Sequence, residues 1–214
     1  MNKAKKYKGV IGIDEVGRGP LAGPVTVCAI YIENTKLVKK DIFEDNIRDS
    51  KKIKKTTRNS IYLTISKNRY LKTNIKYSIS SVSAKYIDKY GIQASIKKCV
   101  DKSLSDLKAL GILIEKIPIH MDAGLVSSHK NLRQSNFIRG DESFTEIALA
   151  SIMAKEERDI YMQKLHKVFS KYNWQKNVGY GTKKHREAID RYGITKYHRI
   201  SYLKAFKQFD KTDN

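Results

Sequence analysis

The sequence predicts an α/β fold in which helices pack around one mixed sheet, and three observations indicate this. Residues 9–13 and 25–32 are rich in β-branched side chains, which favours two strands near the start of the chain. Residues 73–82 alternate between apolar and polar side chains, as a half-buried strand does. Farther along, strand-like and helical patterns follow one another, which is typical of a sheet covered by helices. The 214 residues suffice for one sizeable core, so we expect a single domain over residues 1–214.

Helical patterns fill much of the remaining chain. Residues 56–68 favour a helix, and Ser83 is well placed to cap a short one. A longer apolar periodicity begins after Gly91 and predicts an amphipathic helix. Ser143 followed by Glu146 matches a capping box, which predicts the start of the next helix.

The C-terminal part has one clear local signal. Residues 179–186 combine glycines with Lys, His and Arg, which indicates a turn that enters a basic helix. The tail from Tyr197 shows no clear periodicity, and the long polar stretch 33–59 has no linker composition.

The charge of the chain is far from balanced, because 43 Lys and Arg face 22 Asp and Glu and give a formal net charge of +21. Such an excess is the electrostatic signature of a protein that neutralises phosphates. One alternative explanation of the charge is that the Lys- and Ile-rich composition reflects the base composition of the genome and not selection for binding. An anionic membrane surface is another, but no predicted helix sets a basic face against a broad apolar one with Trp or Phe anchors. Nucleic acid is therefore the expected partner.

Nothing in the sequence predicts export or membrane insertion. No apolar run approaches the ~20 residues that a membrane span needs, and residues 1–7 lack the apolar segment of a secretory signal. Cys28 and Cys99 lie in apolar settings and form no Cys-x-x-Cys pair, so we expect buried, reduced thiols and no zinc site. These features predict a cytoplasmic protein.

Two adjacent acids, Asp14 and Glu15, interrupt the first apolar strand, and a turn with Gly17 and Gly19 follows at once. Asp14 is predicted at or near the end of this strand. A carboxylate in a sheet core needs a proton, a cationic partner or a metal to offset its desolvation. The run is therefore the first candidate for a functional site.

Two later segments repeat this design. The apolar run 116–121 ends in Asp122, and residues 136–140 lead, more weakly, to Asp141 and Glu142. Carboxylates gathered at one sheet edge would repel one another unless divalent cations neutralised them, and hard oxygen ligands suit Mg²⁺ or Mn²⁺. Two such ions about 4 Å apart support an in-line displacement at phosphorus, as in nucleases.

Spacing alone does not establish that these acids converge. Asp122 could cap a turn, Asp141 could cap the following helix, and Glu15 could be a solvated strand end. A carboxylate pair that shares a proton is a further alternative. A glycosidase would normally offer aromatic sugar platforms, however, and Trp174 is the only tryptophan. The residue types leave a metal site and a set of capping acids both open.

Residues 14–24 resemble the signature of ribonuclease HII, the type 2 ribonuclease H family. Arg18 in the glycine-rich turn argues for type 2 over the sister family, ribonuclease HIII. The similarity extends along most of the chain, through residues 49–52, 81–84, Asp122, 140–141, 150–155, 158–159 and 179–182.

This resemblance implies a ribonuclease H-like fold, with a five-stranded mixed sheet flanked by helices and a helical C-terminal portion from about residue 160. It implies a ribonuclease H that hydrolyses the phosphodiester 5′ of a ribonucleotide in RNA–DNA hybrids and at single ribonucleotides in duplex DNA, leaving a 3′-hydroxyl and a 5′-phosphate. The family's four catalytic acids match Asp14, Glu15, Asp122 and Asp141, which would bind two Mg²⁺ or Mn²⁺ ions.

The glycine-rich turn is the expected sensor of the ribose. Because glycine has no Cβ, the backbone of Gly17, Arg18 and Gly19 can approach a sugar closely, and the 2′-hydroxyl is both a donor and an acceptor. In the family that this chain resembles, the turn contacts the ribonucleotide. A tyrosine matching Tyr180 packs there on the deoxyribose of the next nucleotide.

Lys51 and His185 are candidate phosphate contacts, although a lysine in so basic a chain is commonly just solvated. The sequence departs from the family pattern at Ala123, where glycine usually follows the acid at once, and at Glu142, an extra acid beside Asp141. The departures could alter metal preference or loop geometry, and Glu142 is expected to have a structural or electrostatic role.

Three hypotheses compete at this point. The leading one is an endoribonuclease that removes ribonucleotides from duplex DNA and cuts RNA in hybrids. The second is a non-catalytic basic binding protein, and the third is another nuclease or resolvase on the same general sheet, because fold alone does not fix the substrate. We expect a monomer. The C-terminal pair Gln208 and Phe209 is too little to predict a contact with a sliding clamp.

Overall fold

The computed structural model describes residues 8–43, 54–67 and 74–209, and a mixed sheet runs through them. Its strands are β1 (Val10–Val16), β2 (Val25–Ile32), β3 (Ile75–Val82), β4 (Pro118–Asp122) and β5 (Arg133–Phe137). Their order across the sheet is β3-β2-β1-β4-β5. β1, β2 and β3 pair antiparallel, whereas β4 is parallel to β1 and β5 is parallel to β4. The predicted five-stranded mixed sheet is confirmed.

Helices lie on both faces of this sheet. They are α1 (Thr35–Phe43), α2 (Lys55–Lys67), α3 (Ala84–Tyr90), α4 (Ile92–Ala109), α5 (Gly140–Ser143), α6 (Thr145–Val168), α7 (Trp174–Asn177), α8 (Lys183–Tyr192) and α9 (Ile200–Phe209). A 3₁₀ turn, Ser170–Tyr172, connects α6 to α7. Among the described residues, every helix is too short or too polar to cross a membrane.

Each face of the sheet has its own apolar core, because alternate residues of a strand point to opposite faces. Ile13 and Val27 pack with Leu104 of α4 on one face, and Ile30 packs with Leu149 of α6 on the other. Full burial of such a side chain contributes roughly 2 kcal/mol. β1, which carries the first two acids, and its neighbour β2 therefore lie in a sheet that is packed on both faces.

Most of the predicted elements are confirmed. The helix predicted over residues 56–68 is α2, and the periodicity after Gly91 corresponds to α4. Ser83 caps α3, as expected. Cys28 and Cys99 are free, buried thiols, and burial raises the pKa of Cys99 to about 12.

The capping box predicted from Ser143 and Glu146 is wrong. α6 begins at Thr145, and Phe144 precedes it without a side-chain cap. The Glu146 carboxylate instead lies 2.6 Å from Nδ1 of His120 on β4. Glu146 therefore pairs with His120, a residue distant in sequence, instead of forming the local contact with the start of its own helix.

The local sequence does not predict two of the helices. α1 lies in the polar stretch 33–59, and α9 lies in the tail that shows no clear periodicity. The start of α9 is held by a distant residue, because the Asp88 carboxylate of α3 accepts hydrogen bonds from the N–H groups of Ile200 and Ser201, both at 2.9 Å. A cap that comes from another helix is invisible to local sequence patterns.

The C-terminal residues form a third apolar cluster around the fully buried Trp174. The cluster includes Leu21 and Ala22 from the turn after β1 and Met162 from α6. Since α6 runs without a break through residue 160, no loop separates the predicted C-terminal portion from the sheet at that position. The assignment of residues 1–214 to one domain stays a prediction.

Candidate active site

Three carboxylates meet at the carboxyl-terminal ends of β1 and β4. The two strands are parallel neighbours with Ile13 opposite Met121, so the residues that follow, Asp14 and Asp122, lie side by side. Ligand oxygens of Asp14, Glu15 and Asp122 lie within 4.8 Å of one another. Within the described ranges, no other group of three acidic, His or Cys side chains is close enough to share a metal ion.

Asp14 lies under helix α6, and only 6% of it is exposed. Burial, and then the charge of Glu15, raises the pKa of the Asp14 carboxyl well above its ordinary value. A hydrogen bond from the Ser151 side chain and another from the Glu15 N–H, 2.7 Å from Oδ1, act in the opposite direction. The ionised form of Asp14 is therefore favoured by any positive charge bound beside it.

Gly12 makes the contact between α6 and β1 possible. A Cβ at this position would lie 2.3 Å from the carbonyl group of Glu146, so any side chain would push the helix off the strand. The close approach brings Ser151, one turn and a half farther along α6, within hydrogen-bonding reach of Asp14.

Arg18 places a cation at the edge of the carboxylate cluster. Its Nε donates to Glu15 Oε1, and its guanidinium lies next to Gly124, where a Cβ would sit 3.7 Å from Nη2. The second oxygen, Glu15 Oε2, is buried and makes no hydrogen bond to the described part of the chain. A buried oxygen of this kind costs about 1–3 kcal/mol when it is left without a partner. It is a suitable ligand for a hard divalent cation.

Asp141 lies beside the cluster without being a member of it. It is buried in the first turn of α5, and the N–H of the preceding Gly140 donates to Asp122 Oδ1 at 3.0 Å. β5 ends at Phe137, so Asp141 sits in a short helix and not in the strand-end turn that the sequence predicts. The extra acid Glu142 is exposed.

The glycine-rich turn and Tyr180 lie next to each other. Gly19 is exposed, and a Cβ on it would come within 3.9 Å of the Tyr180 ring. Tyr180 itself is 42% exposed. Gly17 has φ of +95°, in the region that favours glycine, and a Cβ there would lie 2.6 Å from Arg158 Nε. The structure therefore brings the two predicted recognition segments together.

Backbone hydrogen bonds tie the segment of Tyr180 to the turn. The Gly179 carbonyl accepts from the N–H groups of Leu21 and Ala22, at 2.8 and 3.2 Å. Arg158 adds a side-chain link, because it donates to the carbonyls of both Val178 and Ala22. The turn and the tyrosine are thus parts of one framework.

The predicted phosphate contact of His185 is not what the structure shows. The ring is fully buried, with Nδ1 2.9 Å from the Tyr180 carbonyl oxygen and Nε2 3.0 Å from the indole nitrogen of Trp174. Burial lowers the pKa of His185, which favours the neutral ring. With both nitrogens engaged inside the protein, the ring supports the Tyr180 backbone. Lys51 and the segment 49–52 lie outside the described residues.

Four residues that shape the site are assigned no site role in the sequence-based predictions: Ser151, Arg158, Arg199 and Tyr202. Both arginines are fully buried, whereas a cation on so basic a chain is expected at the surface. Ser151 carries a weak signal, because it is a polar residue on the small-residue face of α6. For Arg199 and Tyr202 we find no local pattern that indicates their contacts.

The family model for ribonuclease HII matches residues 11–205 of the chain. The chain belongs to the ribonuclease HII family. The ribonuclease HII of Orientia tsutsugamushi (strain Ikeda) is 41% identical over 196 residues, which cover 90% of this chain and 85% of that protein. The resemblance stated from residues 14–24 is confirmed.

Solved structures share the fold. The RNase HII in the PCNA complex from Archaeoglobus fulgidus has a TM-score of 0.62 at 22% identity, over 90% of this chain and 94% of that one. Bst-RNase HIII in complex with Mn²⁺ has a TM-score of 0.64 at 19% identity, over 87% of this chain and 63% of that one. The ribonuclease H-like fold is therefore confirmed.

Family and geometry together identify a metal-dependent, endonucleolytic ribonuclease H. The donor set agrees with a divalent cation, because three carboxylates converge and the buried Glu15 Oε2 makes no hydrogen bond to the described residues. Convergence also argues against the alternative in which Glu15 and Asp122 only end a strand and cap a turn. The hypothesis of a non-catalytic basic binding protein is therefore rejected.

Proposed function

We propose that this protein cuts the phosphodiester on the 5′ side of a ribonucleotide, in RNA–DNA hybrids and at single ribonucleotides in duplex DNA. It leaves a 3′-hydroxyl and a 5′-phosphate, and it acts as a cytoplasmic monomer. The observation that carries the proposal is that the exposed Gly19, in the turn that follows the acids of β1, lies beside the Tyr180 ring. A cutting site and a sugar-reading surface are thus contiguous on one chain.

Asp14, Glu15 and Asp122 would hold a divalent cation, and Asp141, linked to Asp122 through Gly140, would complete a site for two. When bound, Mg²⁺ or Mn²⁺ supplies an activated water and neutralises charge on the phosphate. All four ligands are carboxylates, which suit either ion.

The protein's own groups keep these ligands in place before any substrate arrives. Ser151 and the Glu15 N–H donate to Asp14, and the Gly140 N–H donates to Asp122. Such preorganised donors avoid a reorganisation cost during the reaction. Arg18 holds Glu15 by an ion pair and so fixes the direction of its second oxygen.

The junction between RNA and DNA would be recognised by two neighbouring surfaces. The backbone of residues 17–19 would contact the 2′-hydroxyl, since no side chain at Gly19 blocks the approach. The Tyr180 ring would pack on the deoxyribose of the following nucleotide, where an additional hydroxyl would clash. The net charge of +21 would attract the polyanionic duplex at long range.

One assay tests this proposal. The protein is incubated with Mg²⁺ or Mn²⁺ and a DNA duplex that contains one ribonucleotide, beside an otherwise identical all-DNA duplex. We expect a nick on the 5′ side of the ribonucleotide and an intact control, with a nick that a DNA polymerase can extend from its 3′-hydroxyl. Cutting of both duplexes would favour a general nuclease, and cutting of neither with either metal would contradict the proposal.

A further inference from the structure

Arg199 lies beneath the glycine-rich turn, on the last residue before α9, and is fully buried. Its Nη2 donates to the Gly17 carbonyl at 2.7 Å and its Nη1 to the Arg18 carbonyl at 2.8 Å. Its Nε donates to the Gly23 carbonyl at 3.1 Å. The Tyr202 hydroxyl donates to the same Arg18 carbonyl, at 2.8 Å. One guanidinium therefore holds both ends of the turn.

Packing alone does not explain a charged side chain at this position. A Leu or Met would fill similar volume without the cost of removing a charge from water. Burial lowers the pKa of Arg199, which shows that the environment disfavours the charge. All three nitrogens compensate by donating to backbone carbonyls, so the specific effect of Arg199 is on the orientation of peptide groups.

The orientation of these carbonyls fixes the orientation of two amides. In a trans peptide the C=O and N–H groups point in opposite directions, and the described part of the chain contains no cis peptide. Because the carbonyls of Gly17 and Arg18 point at Arg199, the N–H groups of Arg18 and Gly19 point away from it. Neither N–H makes a hydrogen bond to another described residue. Consecutive amides that face outward form a concave donor surface for an oxygen ligand.

We propose that Arg199 is a positioning residue for ribose recognition: it holds two consecutive carbonyls so that two consecutive amides face the 2′-hydroxyl of the substrate. This inference rests on the proposed function of the turn. It also gives the C-terminal helix a role in specificity, because Arg199 enters α9 directly. The cap from Asp88 fixes the start of that helix and hence the base from which Arg199 reaches the turn.

Three substitutions separate this role from general stability. Arg199→Lys keeps the charge but offers one nitrogen instead of a planar fork, so it cannot hold both carbonyls in the same geometry. Tyr202→Phe removes only the second donor to the Arg18 carbonyl. Tyr172→Phe is the matched control, because its hydroxyl also donates to a carbonyl at 2.8 Å, that of Gly193, and does not contact the turn.

The readout is the ratio of affinities for two duplexes that differ only in a 2′-hydroxyl or a 2′-hydrogen at one position, measured in EDTA so that no turnover occurs. We expect the wild type and Tyr172→Phe to show the same preference for the hydroxyl. Arg199→Lys should lose about tenfold of that preference and Tyr202→Phe about threefold, which corresponds to one charged and one neutral hydrogen bond. Mn²⁺ binding to the carboxylates should not change.

A wild-type preference that survives in both Arg199→Lys and Tyr202→Phe would overturn the inference. If Arg199→Lys does not fold, the comparison of Tyr202→Phe with Tyr172→Phe decides the question, because both variants keep their aromatic rings. A wild type with no preference for the hydroxyl would contradict the proposed function of the turn itself. The two failures are therefore distinguishable.

Discussion

The carboxylate cluster and the glycine-rich turn after β1 lie next to each other but are held in opposite ways. The carboxylates come from two adjacent parallel strands, and their mutual repulsion requires positive charge from outside. The turn comes from irregular backbone, and two buried cations, Arg158 and Arg199, hold its carbonyl groups from inside. In the proposed function, the sheet positions the metal ligands, and Arg158 on α6 and Arg199 at the start of α9 position the turn that reads the ribose.

This contrast implies that catalysis and recognition can be altered separately. Substitutions in the cluster should change turnover and leave the affinity for a ribonucleotide intact. Substitutions behind the turn should change which sugar is preferred while leaving the metal ligands in place.

Asp14→Asn should reduce turnover by about a thousandfold or more, because a neutral amide is a poor replacement for a carboxylate ligand of Mg²⁺. Affinity for the ribonucleotide-containing duplex should stay close to that of the wild type. Since burial raises the pKa of Asp14, its ionised form destabilises the metal-free fold at neutral pH, so the variant should melt at the same or a higher temperature. Single-turnover cleavage and thermal unfolding in EDTA measure both effects.

Glu142→Gln is the control for this substitution. Glu142 is exposed beside Asp141 and lies outside the carboxylate cluster, so its loss should leave the cleavage rate unchanged. Normal turnover in Asp14→Asn would show that the role assigned to Asp14 is wrong. A large loss in Glu142→Gln would instead extend the site beyond the four predicted acids.

Acid should destabilise the C-terminal cluster around Trp174, which contacts His198. Burial, and then the neighbouring His185, lowers the pKa of His198 to about 4. An unfolded histidine has a pKa of about 6.5, so the unfolded chain binds more protons between these two values. The contribution of His198 to the free energy of unfolding is therefore fully present above pH 6.5 and is lost as the pH decreases, by about 2 kcal/mol at pH 5. Urea unfolding followed by fluorescence of Trp174, the only tryptophan, measures this at pH 7.5 and 5.

A His198→Gln variant provides the comparison for the pH series. Its stability at pH 7.5 should be lower, because Nδ1 of His198 accepts from the Thr195 N–H at 2.9 Å and Nε2 contacts His185 at 3.2 Å. Its further loss at pH 5 should be smaller than that of the wild type. Equal losses in both proteins would assign the acid sensitivity to other groups.

Tyr180→Ala should weaken cleavage at a single embedded ribonucleotide by about tenfold, since it removes an aromatic surface of the size that stacks on one nucleotide. Cleavage within a continuous RNA–DNA hybrid should be affected less, because no deoxyribose follows the cut ribonucleotide there. Tyr192→Ala is a matched control: Tyr192 is 43% exposed, against 42% for Tyr180, and lies on α8. Equal effects of the two substitutions at the junction would refute the role of Tyr180.

The same contrast explains what the sequence could predict. The acids of β1 and β4 were predictable because a buried strand that delivers a carboxylate is a local pattern, and parallel neighbours bring the ends of two strands together. The contacts of Arg199, Tyr202 and Asp88 were not, because they join residues more than a hundred positions apart in sequence. The error for His185 has the same origin, since local spacing does not reveal that a basic-looking helix faces a buried aromatic cluster.

Asp88→Asn should have the smallest effect and should fall on recognition. Both carboxylate oxygens of Asp88 accept from the start of α9, and an amide replaces one acceptor with a donor, which should cost about 1 kcal/mol. Asp106→Asn on α4 is a matched control, because Asp106 also accepts from a serine hydroxyl, that of Ser78 at 2.9 Å, and from the exposed Lys102, and it does not touch α9. If α9 supports the turn through Arg199, the preference for a 2′-hydroxyl should decrease in Asp88→Asn and not in Asp106→Asn. If the two variants lose similar amounts of melting temperature and show the same preference for the 2′-hydroxyl, the role of α9 is confined to stability.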